Sequence, residues 1–238
     1  RRRFMNKRLK IGLITLVLIL LVLIGGFFYY VSDYYGADDV VIAVMNSQDT
    51  IDFRDDHIIL SPTVPSDRAL IFYPGAKVEY SAYLPILQKI RDETGITCIL
   101  VKIPFNMAIF DVDRADEIMG QFPDINNWYI GGHSMGGTMA SDYASKNQDK
   151  VEGLILLVSY IYGDYPEENT LTVYGTLNTS VSDKIDYEKN IVAIEGGNHA
   201  QFGNYGIQKG DAKATISREE QQDMAVEAIS KFLVNKDN

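Results

Sequence analysis

The sequence predicts an α/β domain built on a doubly wound, mostly parallel sheet and preceded by one transmembrane helix. Three observations carry this reading. A charge-free apolar run stands near the start, apolar runs of strand length then alternate with segments of helical period, and those runs are continuous rather than alternating in polarity.

The 21 residues from Ile11 to Val31 carry no charge, and most are Leu, Ile, Val, Phe or Tyr. As a helix they would span roughly 31 Å at about 1.5 Å per residue, the thickness of a bilayer's hydrocarbon core. Arg1, Arg2, Arg3, Lys7, Arg8 and Lys10 precede the run with no acid among them, and Asp33, Asp38 and Asp39 follow it. By the positive-inside rule the N-terminus is cytoplasmic and the remainder is extracytoplasmic, in a single-pass protein of the cell membrane. The expected segments are a basic cytoplasmic stretch over 1–10, a transmembrane anchor over 11–31, a juxtamembrane linker over 32–39 and the α/β domain over 40–238. A cleaved signal peptide is the rival reading, but its apolar core would be about 7–15 residues and end at a small-x-small site. Here the run meets Phe27, Phe28, Tyr29 and Tyr30, which suit a membrane interface, so an uncleaved anchor is expected.

At 238 residues the chain fits one well-buried domain, since single cores grow to about 250 residues before chains split. Beyond residue 31, 16 basic residues face 32 acidic ones, a formal charge of −16. So acidic a body excludes nucleic acid as a partner. Cys98 has no partner cysteine and sits in an apolar run, so it reads as a buried strand residue.

Strands are expected at Ala69–Tyr73, Ile96–Ile103, Trp128–Ile130, Val151–Val158, Leu171–Tyr174 and Ile191–Ile194, with one or two more within residues 40–61. Between them Tyr83, Ile86, Leu87 and Ile90 fall at i, i+3, i+4 and i+7, in a helix that Gly95 stops. A second helix follows Asp111, a third begins at Ser134, and the last opens with the capping box Ser217-x-x-Glu220.

Between the strand Trp128–Ile130 and the third helix stands Gly132-His133-Ser134-Met135-Gly136, a G-x-S-x-G in the strand–turn–helix setting of a nucleophile elbow. Ser134 is therefore the expected nucleophile. The elbow presents the N–H of the following residue, Met135, to a developing oxyanion. A second donor is expected from the strand-end loop Tyr73-Pro74-Gly75-Ala76-Lys77, with the N–H of Ala76 as the candidate. The base follows by elimination among three histidines. His133 is locked beside Ser134, and His57 lies in the charged cluster Arg54-Asp55-Asp56-His57, where a solvated surface role is expected. His199 remains, in a glycine-rich loop after Ile191–Ile194 and ahead of the final helix.

At Tyr73-Pro74-Gly75, Gly132–Gly137 and Gly196-Gly197-Asn198-His199-Ala200-Gln201-Phe202-Gly203 the sequence resembles the α/β-hydrolase family. More narrowly it is similar to a small bacterial, membrane-anchored branch with a dienelactone-hydrolase-like layout. The resemblance implies Ser–His–acid hydrolysis through an acyl-enzyme, with no metal or organic cofactor. It also exposes a departure: where the family carries its acid, after the strand Leu171–Tyr174, this chain reads Gly175-Thr176-Leu177-Asn178. Asp183, five residues on, is the expected substitute, with Asn178 itself and Asp164 as alternatives.

The function expected is a carboxylic-ester-hydrolase-like serine hydrolase, cleaving a small-molecule or lipid-like ester or thioester at the outer side of the membrane. A catalytically weakened binding or scaffold protein and an acyltransferase are the alternatives. Only 12 residues separate the strands Val151–Val158 and Leu171–Tyr174, too few for a helical lid, so an open site edged by Tyr160, Tyr162 and Tyr165 is expected.

Overall fold

The computed structural model describes residues 6–46 and 50–236. The expected basic residues Arg1, Arg2 and Arg3 lie outside that range. Two compact units divide between Tyr34 and Tyr35. The first is dominated by helix α1 (Lys7–Ser32), whose most apolar window has a mean hydropathy of 2.9. Among the described residues it is the one helix long and apolar enough to cross a membrane, a property it shares with signal sequences.

The second unit opens with α2 (Asp39–Asn46), a helix that strand-like apolarity over residues 40–61 did not predict, and continues with strands β1 (Ile51–Phe53) and β2 (His57–Leu60). There follow β3 (Arg68–Tyr73), α3 (Leu84–Thr94), β4 (Thr97–Val101), α4 (Arg114–Met119), β5 (Asn127–His133) and α5 (Met135–Lys146). The remainder is β6 (Gly153–Leu157), β7 (Thr170–Gly175), the short α6 (Thr179–Ser182), β8 (Ile191–Ile194) and α7 (Arg218–Lys236). The eight strands form one sheet in the order β1-β2-β4-β3-β5-β6-β7-β8. β1 and β2 are antiparallel to their neighbours, and every pairing from β4 to β8 is parallel.

Both faces of the sheet are covered, which is why its strands read as unbroken apolar runs. Leu70 and Phe72 of β3 join Leu100, Ile155 and the α3 and α7 side chains on one face. Ala69, Ile71 and Tyr73 join Ile99, Ile130, Leu156 and the α5 residues Ala140 and Tyr143 on the other. Each fully buried Ile or Leu contributes about 1.5–3 kcal/mol relative to an exposed one. The local stop and start signals act as their chemistry requires: Gly95 ends α3 with φ 68°, where a side chain would be strained, and Ser217 and Glu220 cap α7 reciprocally. Cys98 is fully buried on β4, and burial pushes its thiol up to about 12.

Parallel pairing brings the carboxyl ends of β3, β5, β7 and β8 to one edge of the sheet. The loop over 73–77, the turn at Ser134 and the loops carrying Asn178 and His199 all leave the sheet there, at the edge where open α/β sheets place ligand sites. The β6–β7 connection has no α-helix, only a single turn at Glu167–Asn169.

Candidate active site

Ser134 stands between the end of β5 and the start of α5 with φ 53° and ψ −121°, the left-handed region that costs a non-glycine residue about 1–3 kcal/mol. The surroundings impose this. A Cβ on Gly132 would lie 2.7 Å from the Tyr73 carbonyl oxygen, and one on Gly136 would strike the carbonyl oxygens of Tyr73 and Pro74. Glycine alone lets α5 turn back so closely over β3, and the tight turn leaves Ser134 only partly covered.

Of the two N–H groups expected as oxyanion donors, one follows Ser134 directly and the other lies in the β3 loop. Met135 N–H opens α5 and has no intrahelical acceptor. In the β3 loop, Gly75 N–H donates to Tyr83 Oη (3.1 Å) and Lys77 N–H to the Asn106 carbonyl (2.8 Å). Ala76 N–H lies between them and makes no hydrogen bond among the described residues.

His133 and His199 approach each other, ring centroids 4.8 Å apart and edge to face. The His133 ring is fully engaged: Tyr83 Oη–H donates to Nδ1 (2.9 Å), and Nε2–H donates to the His199 carbonyl (3.0 Å). Burial, with His199 next to it, holds the His133 pKa well below the usual histidine value, so the ring stays neutral in the one tautomer this chain of bonds allows. A continuous path of hydrogen bonds thus links Gly75 in the β3 loop, through Tyr83 and His133, to the backbone of His199. Gln221, buried on α7, holds the same loop by accepting Asn198 N–H (2.9 Å) and donating to the Asn198 carbonyl (2.9 Å).

Against His199 Nδ1 lies the amide of Asn178, with Nδ2 2.7 Å away, while Ser180 Oγ donates to Asn178 Oδ1 (2.7 Å). In this orientation the amide donates to Nδ1, which leaves the ring proton on Nε2. A half-turn of the amide exchanges the roles, with Oδ1 accepting Nδ1–H and Nδ2 donating to Ser180 Oγ. Only the second arrangement frees Nε2 to accept a proton from a serine.

Asp183, the first expectation for this position, is elsewhere. Residues 179–182 wind into α6 and Asp183 becomes its C-cap, exposed and with no hydrogen bond to His199 among the described residues. Asp164 is also exposed, its carbonyl accepting from Gln148. A carboxylate that sequence reasoning missed, Asp211, holds the His199 loop by its backbone: Oδ1 accepts His199 N–H (3.2 Å) and Oδ2 accepts Ala200 N–H (2.8 Å). Burial lowers the His199 pKa and the Asp211 charge partly restores it. Nothing local marked Asp211, because it lies 12 positions beyond His199 in the sequence and only folding closes that loop.

A cavity of about 510 Å³ opens beside His199 and Asn178, walled by Thr179, Ser180, Gln208, Lys209 and Asp211. Of the three tyrosines expected at the rim, Tyr162 is exposed, Tyr160 lies under Lys184 Nζ (5.0 Å from the ring centre), and Tyr165 is buried with its hydroxyl on the Val151 carbonyl. His57 departs from its expected solvated role: it is 1% exposed on β2, with Nδ1 2.8 Å from Asp56 Oδ1. The charges around it are at the surface, but β2 lies between β1 and β4 and takes the ring inside.

Comparison with solved structures finds the same fold. A carboxyl esterase 2 from the mycorrhizal fungus Tuber melanosporum superposes with a TM-score of 0.57 at 10% identity, covering 84% of this chain and 91% of that one. The ferulic-acid complex of Est1E from Butyrivibrio proteoclasticus gives 0.53 at 14%, covering 76% and 94%. MenH from S. aureus gives 0.56 at 13%, covering 78% and 100%. A comparison with curated proteins gives no match. The alpha/beta hydrolase family matches residues 69–223, from β3 through the elbow and the His199 loop into α7, and the chain belongs to that family.

Proposed function

We propose that the protein is a serine hydrolase of ester-like or thioester-like substrates, with Ser134 as nucleophile, His199 as base, and the N–H groups of Met135 and Ala76 as the oxyanion hole. The observation that carries this is the strained, partly open Ser134 at the elbow, with the His199 loop bonded to its neighbour His133. Ser134 Oγ attacks the carbonyl carbon as its proton passes to His199 Nε2, and the carbonyl oxygen takes up negative charge before the two N–H groups. Collapse breaks the bond to the leaving group, which receives the proton from Nε2. Water then enters by the same route in reverse and releases the acid.

Asn178 sets the tautomer in its carbonyl-inward orientation, and Asp211 supplies a negative charge that favours the imidazolium. Labelling with a fluorophosphonate tests the reading: Ser134 is expected to be modified, and Ser134→Ala to abolish labelling and turnover. His199→Ala is expected to lower turnover by about four to six orders of magnitude, since nucleophile and base act as one unit. A domain that binds ester but is never labelled would instead be a binding protein, the reading that Asn178 with its amide donating to Nδ1 favours.

The membrane part of the proposal is a cytoplasmic segment over 1–10, an anchor over 11–31, a linker over 32–39 and an extracytoplasmic domain over 40–238. It rests on the basic residues before the apolar run and the acids after it. Protease added to intact cells is expected to digest the domain, and protection until the membrane is breached would reverse the orientation.

A further inference from the structure

Residues 35–38 fall in the proposed linker, yet they belong to the same compact unit as the sheet and are bonded into it on two sides. On one side Tyr35 pairs with Val78 as a parallel bridge: Tyr35 N–H donates to the Lys77 carbonyl (2.8 Å), and the Tyr35 carbonyl accepts Glu79 N–H (2.9 Å). The Glu79 carboxylate adds a third link by accepting Ala37 N–H (3.0 Å). On the other side Asp38 N–H donates to the Asn204 carbonyl (2.9 Å), Arg218 of α7 donates to the Asp38 carboxylate (2.5 Å), and Tyr35 Oη accepts Lys209 N–H (3.0 Å). The Tyr35 ring lies on that of the buried Tyr205, centroids 5.8 Å apart. Tyr205 in turn lies beside Tyr83 and His133, at 6.3 and 6.5 Å.

Both attachments adjoin residues of the proposed machinery. Lys77 follows Ala76, whose N–H is the proposed second oxyanion donor, and has φ 56°, a left-handed conformation that a non-glycine residue keeps only where its surroundings hold it. Backbone bonds hold it at both ends, its N–H on the Asn106 carbonyl (2.8 Å) and its carbonyl under Tyr35 N–H. Lys209 stands two residues before Asp211, whose carboxylate takes the N–H groups of His199 and Ala200. Tyr35 therefore has its backbone on one loop and its hydroxyl on the other. Resting on the serine-hydrolase reading, we propose that Tyr35 is a positioning residue of the site, fixing the loop that bears the Ala76 N–H against the loop through which Asp211 holds His199. Asp38, paired with Arg218, anchors the far end of this strap.

The full-length protein in detergent tests this with p-nitrophenyl acetate. Tyr35→Phe keeps the ring and the backbone bonds but removes the acceptor of Lys209 N–H, and Tyr35→Ala removes the ring as well. The kcat is expected to fall about threefold in the first and about tenfold in the second, with KM within about twofold, since a displacement of about 1 Å can cost 10²-fold in rate. In both, the acidic limb of kcat/KM should move to lower pH, because a loosened Asp211 raises the His199 pKa less. The other titratable or charged groups facing His199 are the neutral His133 and Lys209 across the cavity, and neither is replaced. Asp38→Asn, which breaks the pair with Arg218 and leaves Tyr35 in place, should lower kcat about threefold and shift the limb the same way; it carries the test if a Tyr35 variant loses its cooperative melt. Fluorophosphonate labelling of the wild type, with kcat and limb unchanged in the folded variants, would overturn the inference and leave the hydrolase reading standing. A fall in kcat matched by an equal loss of folded protein, with the limb unmoved, would also overturn it and assign the strap to stability alone. A wild type neither labelled nor active would overturn both.

Discussion

At the scale of single residues, the proposed role of His199 as base turns on the amide at position 178. An amide can orient the ring but brings no charge to the imidazolium, and in one of its two orientations it holds the unproductive tautomer. Asn178→Asp removes that orientation and adds charge, so turnover is expected to rise. The acidic limb of kcat/KM should move to higher pH, because a facing carboxylate favours protonated His199. Asp211→Asn should act oppositely. Losing the negative charge lowers the His199 pKa further below its ordinary value of 6.5, moving the acidic limb to lower pH while turnover falls. The groups facing His199 are Asn178, Asp211, the neutral His133 ring and Lys209 across the cavity. Rate profiles of both variants from pH 4 to 9 on one activated ester check the signs, and shifts in the same direction would refute the division of labour.

At the scale of elements, the site depends on three loops held in register by buried polar groups. Tyr83, from the turn before α3, accepts Gly75 N–H and donates to His133, and His133 in turn donates to the His199 carbonyl. Tyr83→Phe leaves a buried N–H and a buried ring nitrogen without partners, a loss of about 1–3 kcal/mol for each group. The oxyanion loop is then free to shift, and a displacement of about 1 Å can cost 10²-fold in rate. Turnover is expected to fall by about that factor with the acidic limb unmoved, since no charge near His199 has changed. A pH–rate profile beside a melting curve separates this outcome from simple unfolding.

Across the whole molecule, desolvation in the folded state lowers the pKa of the buried His133 and of the partly buried His199. As pH falls below about 6.5, an unfolded histidine protonates while these two resist, so the unfolded state binds more protons and stability drops. The melting temperature is expected to fall between pH 7 and pH 5, and a flat profile would mean that both rings gain compensating charge. Since the division at Tyr34 and Tyr35 leaves all eight strands in one unit, residues 35–238 are also expected to express as a soluble, cooperatively melting domain.

Periodicity and local chemistry carried most of this fold. Strands buried on both faces betray themselves as continuous apolar runs, a glycine cluster around Ser134 marks a backbone passing too close for side chains, and a Ser-x-x-Glu pair announces a helix start. Each of these signals lies within a few residues of the structure it specifies. What only the tertiary structure decided depends on contacts between distant segments. It took His57 into the sheet despite its charged neighbours, turned 39–46 into a helix, and swung Asp183 away while bringing Asn178 and Asp211 to His199. A side chain's partner across a loop is fixed by how the loop closes, and loop closure is governed by the packing of the whole sheet edge rather than by any pattern in the loop itself.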